Sequence, residues 1–309
     1  MRNHDPTKRF VLIGGMPRSG TTLIETVIGS HSRIAIPPGD FPFAERAATG
    51  LSVDNIFSIF RKKQTWEIWR VKDFSSVLDL NHGAAFRATL IHYAEGVGKD
   101  IPGAKAPYSE FYIDTYQEWL TGDELKFIYV LRNPFDVMAS LKHSHIHTSW
   151  RGYRDLIDVQ ARNWLRSTSA ILARAYAERQ NFLVVRYEDF VRDPVSVGST
   201  LCEFVGVDFE KDAMLNREEY AYHDTNTSFP EKFSEREDKT TYIYKANSRK
   251  ACLTRAEIDL VARTCGETAL SLGYKDPDFS AKPPEHMDKV NALTKIRRLP
   301  GRIYRKISR

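Results

Sequence analysis

The sequence predicts an α/β fold of three layers, in which a central parallel sheet is flanked by helices on both faces. Three short apolar segments read as buried strands, at residues 8–15, 126–131 and 181–186, and a helical pattern follows each of them. Strands that alternate with helices form a parallel sheet, because each crossover helix packs back onto the sheet. With 309 residues the chain is long enough for one large domain, predicted over residues 1–280 and followed by a basic tail over 281–309.

The helical segments follow in chain order. The first is expected from Thr21 to about Ser30, and the others over residues 136–143, 154–179, 194–206 and 254–272. Residues 41–100 and 210–245 are less regular. Ligands of such folds bind at the carboxyl ends of the strands, so we expect these two segments to form the walls of a site there, with aromatic side chains at 41–69 facing an acceptor.

The turn after the first strand is built for an anion. Its sequence, within VLIGGMPRSGTTLIE, has the Gly15, Gly20 and Thr22 spacing of a Walker A loop, but Thr21 stands in the lysine position and Arg18 is the cation. Backbone N–H groups and the positive end of the helix dipole favour a phosphate at such a helix start. The loop therefore predicts a phosphate-like anion without the lysine that serves an NTP.

The second predicted strand ends in a cation. Enzymes that use Mg²⁺ with a nucleotide need an acid near this position, whereas here the strand continues into Arg132-Asn133-Pro134. Two cationic anion sites and no metal site are therefore expected. This combination fits a nucleotide that carries two separate phosphate groups.

Taken together, these segments resemble the sulfotransferases that use 3′-phosphoadenosine 5′-phosphosulfate (PAPS). The resemblance spans roughly residues 8–276. It rests on the arginine-type loop at 17–22, the segment LRNPFDVMASLKHS with Arg132 and Ser140, the Arg-Tyr-Glu-Asp at 186–189 and the Leu-Gly-Tyr at 272–274. Among members of the family, the tyrosylprotein-type and bacterial enzymes are the most similar.

The resemblance implies a nucleotide site. The loop would hold the 5′-phosphosulfate of PAPS, and Arg132 and Ser140 would hold the 3′-phosphate of PAPS or its product PAP. Lys245 would belong to a basic segment that closes over the 3′-phosphate, and Tyr187 would contact the nucleotide. The loop residues are Pro17, Arg18, Ser19, Gly20, Thr21 and Thr22. Each assignment has a structural alternative: a helix N-cap for the loop hydroxyls, an ion pair with Asp136 for Arg132, a core position for Tyr187 and a solvated loop for Lys245.

Three residues are assigned to catalysis. Arg18 and Lys105 would neutralise the charge that develops on the leaving group. The histidine base of the cytosolic enzymes is replaced by Pro107, and Gly39 stands where the tyrosylprotein-type enzymes have a glutamate. Asp40, one residue later, is therefore assigned as the general base, with Glu45 as the reserve and a simple turn role as the alternative.

Composition and charge indicate which partners and which cellular location to expect. Residues 281–309 carry nine Lys or Arg against two acids, so the tail holds more than the whole net charge of +5. Anchoring of this tail on an anionic membrane and a solvated tail are both open, and nucleic acid is not expected as a partner because no aromatic stacking platform accompanies the cations. Three unpatterned cysteines and the absence of a leader or a spanning segment favour a cytoplasmic protein.

The predicted function is metal-independent sulfuryl transfer from PAPS to a hydroxyl, with an amine as the second choice. The acceptor can be a small molecule, a glycan or a lipid, and the oligomeric state is open. The alternatives are a P-loop kinase of a small molecule, which Thr21 and the missing strand-end acid oppose, and a non-catalytic protein that binds PAP or another anion.

Overall fold

A parallel sheet of five strands organises the computed structural model, which describes residues 8–62, 74–143, 157–215 and 250–280. In chain order the strands are β1 (Arg9–Gly14), β2 (Ile34–Ala35), β3 (Ile101–Lys105), β4 (Glu124–Leu131) and β5 (Phe182–Arg186). The spatial order is β2-β3-β1-β4-β5, and every neighbouring pair is parallel.

Helices follow or connect these strands. They are α1 (Thr21–Gly29), α2 (Phe43–Ala48), α3 (Val53–Lys62), α4 (His82–Gly96), α5 (Ile113–Trp119), α6 (Pro134–His143), α7 (Ile157–Ala177), α8 (Tyr187–Arg192), α9 (Pro194–Val205), α10 (Lys211–Leu215) and α11 (Arg255–Ser271). Short 3₁₀ turns occur at Ser75–Val77, Ser109–Tyr112, Lys250–Cys252 and Pro277–Ser280. The strands and helices predicted from the sequence are confirmed, with boundaries that shift by a few residues.

Both faces of the sheet are buried, as the continuous apolar strands predict. Along β1, Val11 and Ile13 pack with α1, α9 and α10, whereas Phe10 and Leu12 pack on the opposite face with the larger cluster that includes Trp164 of α7. Alternate side chains of a strand point to opposite faces, so one apolar strand supplies two separate cores. The predicted three-layer arrangement is confirmed.

The strand order places the candidate site. From β1 the chain crosses to the edge strand β2, returns to β3 beside β1, and then continues through β4 and β5 on the other side of β1. Such a reversal beside a central strand opens a crevice at the carboxyl ends of the strands. The loop at 15–20, Lys105 at the end of β3 and Arg132 just after β4 all lie at this edge.

The aromatic residues that follow β2 have a different role from the one predicted. Phe41, Phe43, Phe57 and Phe60 are at most 2% exposed and pack with Phe86 of α4 in the larger core. They stabilise α2 and α3 against the sheet, so these four rings do not form an exposed acceptor surface. Within the described residues, no helix is both long and apolar enough to cross a membrane.

Candidate active site

The anion loop is a tight turn followed directly by α1. Ser19 N donates to the carbonyl of Met16 at 3.1 Å, which closes a β-turn with Pro17 and Arg18 in its centre. Arg18, the third residue of this turn, has φ 73°. A proline at the second position and a positive φ at the third are typical of a type II turn. Gly20 then caps α1 without a side chain, so the N–H groups of the first helical turn face the loop.

Tyr187 packs closely against this helix start. A Cβ built on Gly20, whose φ is 99°, would lie 2.4 Å from the Tyr187 ring. The guanidinium of Arg132 lies over the other part of the same ring, 4.3 Å from its centroid. Tyr187 therefore links the loop to the carboxyl end of β4, where the sequence predicts contact with the nucleotide.

The two predicted phosphate sites are in direct contact. Arg132, which is 5% exposed, donates from its Nη1 to the carbonyl of Arg18 at 2.9 Å, and Arg18 Nε donates to Ser140 Oγ at 3.1 Å. Trp164 Nε1 donates to the Arg132 carbonyl at 2.9 Å and fixes its backbone. Two arginines, one hydroxyl and the helix start therefore form one cationic surface.

The Arg-Tyr-Glu-Asp and Leu-Gly-Tyr segments support this surface from behind. Glu188 accepts from Asn133 N at 2.8 Å and from Tyr274 Oη at 3.1 Å, while Arg186 lies over the Tyr274 ring at 4.3 Å. Burial is the main cause that raises the pKa of Glu188. These contacts hold the backbone next to Arg132 in place, which explains both sequence motifs without a ligand.

Lys105 is the cation on the other side of the loop. Its side chain is 3% exposed, and its Nζ forms an ion pair with Asp40 and lies 3.1 Å from Glu25 Oε2 and 3.4 Å from Thr22 Oγ1. The carbonyl of Lys105 accepts from Phe41 N at 2.8 Å, so β3 fixes the turn that carries Asp40. The structure thus brings Lys105 and Asp40 together with the anion loop.

The charges of this cluster act on one another. Burial alone lowers the pKa of Lys105, but the charges of Asp40 and Glu25 outweigh it and raise that pKa above its usual value. Burial raises the pKa of Glu25 to about 7; the charge of Lys105 opposes this shift and that of Asp40 adds to it. Lys105 therefore stays protonated at neutral pH, while Asp40 is its partly solvated counter-ion.

Two more buried carboxyls lie close by. Glu110 accepts from Gly15 N at 2.9 Å and so holds the loop backbone, and burial raises its pKa to about 7. Glu45 has an Oε1 without a hydrogen-bond partner, and burial, followed by the charges of Glu110 and Asp40, raises its pKa to about 8. Glu45 is thus mostly protonated at pH 7, which favours Asp40 over Glu45 as the base.

The model of the sulfotransferase family matches residues 11–211, which include the loop, Lys105, Arg132 and Tyr187. The chain belongs to the sulfotransferase family. Among solved structures it is similar to the sulfotransferase domain of an olefin synthase from Synechococcus PCC 7002, with a TM-score of 0.59 and 19% identity over 89% of this chain and 98% of that one. This likeness confirms the fold.

Two further similarities are more limited. A sulfotransferase domain from the curacin biosynthetic pathway has a TM-score of 0.49 and 20% identity over 88% of this chain and 99% of that chain. An uncharacterized protein of Aquifex aeolicus is 51% identical over 45 residues, which are 15% of this chain and 6% of that protein. The chain therefore spans only a small part of the length of that curated relative.

Some predicted features of the chain lie outside the described residues. They are Lys245, the basic tail over 281–309, and parts of the two predicted walls of the site, at 63–73 and 216–245. The division at residue 280 therefore stays a prediction. Lys250, next to the described boundary, forms ion pairs with Asp276 and Asp278. In the part of the chain that the structure describes, no group of three or more His, Cys, Asp or Glu is placed to hold a metal ion.

Sequence reasoning missed Glu25 and Glu110. Glu25 interrupts the apolar pattern of α1 three positions after Thr22. Residues at that spacing lie on the same face of a helix, so Glu25 is expected on the face that carries the loop hydroxyl of Thr22. That spacing was a usable signal. Glu110 lies in a short 3₁₀ turn, and its contact with Gly15 spans 95 positions, so no local pattern could have indicated it.

Replacement of Gly20 by alanine is expected to damage the loop. The positive φ and the 2.4 Å approach to Tyr187 leave no room for a Cβ, so we expect a loss of about 1–3 kcal/mol in the free energy of unfolding and weaker anion binding. Gly29→Ala is the matched control, because its Cβ would come no closer than 3.8 Å to Ile36. Equal melting temperatures for the two variants would contradict the tight loop.

Glu45 is expected to make stability fall as pH rises. Its carboxyl keeps its proton in the folded state up to a pKa of about 8, against 4.5 in the unfolded chain; the folded state therefore binds the extra proton between these values, and its stabilising effect is lost as pH rises towards 8. We expect Glu45→Gln to flatten this decline and to be more stable than wild type at pH 8.5 by about 1–3 kcal/mol. Urea unfolding from pH 5 to 8.5 measures it, with the exposed Glu118→Gln as the control.

Proposed function

We propose that this protein transfers the sulfuryl group of PAPS to a hydroxyl acceptor by in-line displacement. The observation that carries the proposal is the arrangement of charge around the anion loop. Arg18 and Arg132 lie on one side and Lys105 on the other, with the carboxylate of Asp40 bound to Lys105. One crevice thereby offers cations for the two anionic groups of PAPS and a carboxylate that can take the proton of the acceptor hydroxyl.

The nucleotide would lie across the loop. The first N–H groups of α1 and the hydroxyls of Ser19, Thr21 and Thr22 are donors for the 5′-phosphosulfate. Arg132 is a donor for the 3′-phosphate, because a guanidinium fork matches two phosphate oxygens. Tyr187, already stacked against Arg132, supports that side of the nucleotide. The groups assigned to the nucleotide are hydrogen-bond donors or cations, which suits a ligand with two anionic groups.

The chemical step needs one base and two cations. Asp40 takes the proton of the acceptor hydroxyl, and the acceptor oxygen forms a new bond to sulfur. The bond from sulfur to the bridging oxygen breaks, and its electron pair remains on the 5′-phosphate of PAP. Arg18 and Lys105 stabilise the charge that develops on that bridging oxygen and on the sulfuryl oxygens. No step uses a metal ion, since a cation, Arg132, stands where Mg²⁺-dependent relatives of this loop need an acid.

The acceptor is assigned only by class. Asp40 is about half exposed, with 54% side-chain accessibility, and an acceptor hydroxyl can reach it from solvent. Family membership and this open carboxylate support a small-molecule hydroxyl compound as the first acceptor to test, and phenols are suitable surrogates because their protons are easily removed.

Calorimetry with PAP, with and without Mg²⁺ and alongside ATP, tests the proposal. We expect micromolar PAP binding that does not depend on Mg²⁺ and that weakens by about 10²-fold in Arg132→Ala, the loss that follows from removing a buried charged hydrogen-bond donor. Arg192→Ala, on the exposed side of α8 with 73% accessibility, is the matched control. Transfer of labelled sulfuryl from PAPS to a phenol panel should then follow. Binding of Mg·ATP without PAP binding would overturn the proposal in favour of a kinase.

A further inference from the structure

Lys105 contacts two carboxylates that are held very differently. Glu25 lies on α1 with 6% side-chain accessibility, whereas Asp40 lies on the turn after β2 with 54%. Both approach the same ammonium group, and an incoming phosphosulfate would compete with them for it. Which carboxylate gives way decides whether a base becomes available, and this question rests on the proposed function.

Glu25 is fixed at both of its oxygens. Oε1 accepts from Gly39 N at 2.8 Å, and Oε2 lies 3.1 Å from Lys105 Nζ. One side chain of the first helix therefore holds both the lysine and the turn that carries the proposed base. Separated from Lys105, Glu25 would be a buried carboxyl that must either stay charged without a partner or take up a proton, whereas an exposed carboxylate is simply hydrated.

Asp40 is held loosely by comparison. It follows Gly39, which has φ 90° and no atom within 4 Å of the position of a Cβ, so the turn has open space beside it. Its carboxylate is half solvated, so water can take over its hydrogen bonds when it leaves the ammonium, and no buried charge is left on the carboxylate side. Of the two acids, Asp40 is the one that can leave Lys105.

We propose that Glu25 is a positioning residue, the permanent counter-ion of Lys105, and that Asp40 is the exchangeable one, released as a base when the phosphosulfate takes its place on Lys105. The released carboxylate then takes the proton of the acceptor hydroxyl, as in the proposed step. Donor binding thereby creates the free base, and deprotonation of the acceptor is confined to the complex that already holds the sulfuryl group.

Glu25→Gln tests the catalytic part of this inference. The amide oxygen can still accept from Gly39 N, but the negative charge beside Lys105 is lost, so Lys105 holds Asp40 more firmly. We expect PAP affinity within about threefold of wild type and a single-turnover transfer rate at saturating PAPS that is at least about tenfold lower. The exposed Glu118→Gln should change neither. An unchanged rate in Glu25→Gln would overturn the positioning role.

Thermal melting without any ligand tests the unequal hold of the two acids. Loss of the buried partner should lower the melting temperature of Glu25→Gln by about 4 °C or more, against less than about 2 °C for Asp40→Asn. In a Lys105→Met background Glu25→Gln should instead raise the melting temperature, because it removes a buried carboxylate that has lost its cation. A larger drop for Asp40→Asn would overturn the assignment. If wild type neither binds PAP nor transfers sulfuryl, the proposed function fails, while this melting comparison still decides which acid is the fixed partner.

Discussion

Replacement of Lys105 by methionine is expected to lower the rate of sulfuryl transfer by about 10²- to 10³-fold, the loss found when one fixed donor to a developing oxyanion is removed. Methionine keeps much of the volume of the lysine side chain but leaves Glu25 and Asp40 without their shared cation. The free energy of unfolding should fall by about 3–5 kcal/mol at pH 8, because a buried carboxylate loses its partner. Single-turnover kinetics and urea unfolding measure the two effects.

The double variant Lys105→Met with Glu25→Gln separates the two effects. Without the buried negative charge, most of the lost stability should return, whereas the transfer rate should stay low because the cation is still missing. Lys126→Met is the control for removing a lysine from a strand of the sheet. The Lys126 ammonium lies at the opposite end of β4 from Arg132, 3.0 Å from Glu124 and 2.6 Å from the Gln180 carbonyl that accepts from it, so we expect a loss of about 1–2 kcal/mol in stability and an unchanged transfer rate. Full activity in the double variant would show that Lys105 acts only through stability.

Substitution of Arg18 by alanine or glycine should reduce the transfer rate by about 10²- to 10³-fold in both variants, since both remove the cation next to the bridging oxygen. The glycine variant should be the more stable of the two, although it keeps fewer side-chain atoms than the alanine variant. The φ of 73° at this position suits glycine, so Arg18→Gly should be more stable than Arg18→Ala by about 1 kcal/mol. Melting curves and transfer rates on the same preparations check both.

The kinetics of the Arg18 variants also report where its charge acts. If the rate falls and PAP affinity changes little, Arg18 acts mainly in the transition state; if PAP affinity falls as far as the rate, it contributes only to binding, and the catalytic role is wrong. Arg192→Ala again controls for the loss of an exposed arginine.

Local patterns determined most of the fold. The apolar runs that became β1 and β4 are buried on both faces, as is typical of central strands in a covered parallel sheet. The third run became β5, which is partly buried and lies at the edge of the sheet. The anion loop was equally readable, because a glycine- and hydroxyl-rich turn between a buried strand and a helix has few other uses. The short β2, two residues long, and the helices α2 to α5 carried no such signal, since their form depends on packing against the larger core.

Individual residues of the candidate site could be predicted from the sequence, but the contacts between them could not. The sequence assigned Arg18 to one phosphate and Ser140 to the other, and the structure joins them by a hydrogen bond. Aromatic side chains at 41–69 were expected to face an acceptor, and the described ones, Phe41, Phe43, Phe57 and Phe60, are core residues instead. Amphipathic and wholly buried aromatic segments look alike in an irregular stretch of sequence, because burial there is set by distant helices.

By itself, the sequence indicated the anion-binding chemistry that this protein can offer: the donor-rich loop with Arg18, and the cation Arg132 after a buried strand. It could do so because each of these depends on residues adjacent in the chain, whereas Lys105 and Asp40 were assigned from the family resemblance. Only the tertiary structure decided which charged groups contact one another. Lys105 meets Glu25 across 80 positions and Asp40 across 65, and parallel pairing of β1 with β3 brings them together. Ionic coupling depends on distance and burial rather than on chain order, so it appears only when the strands are in register.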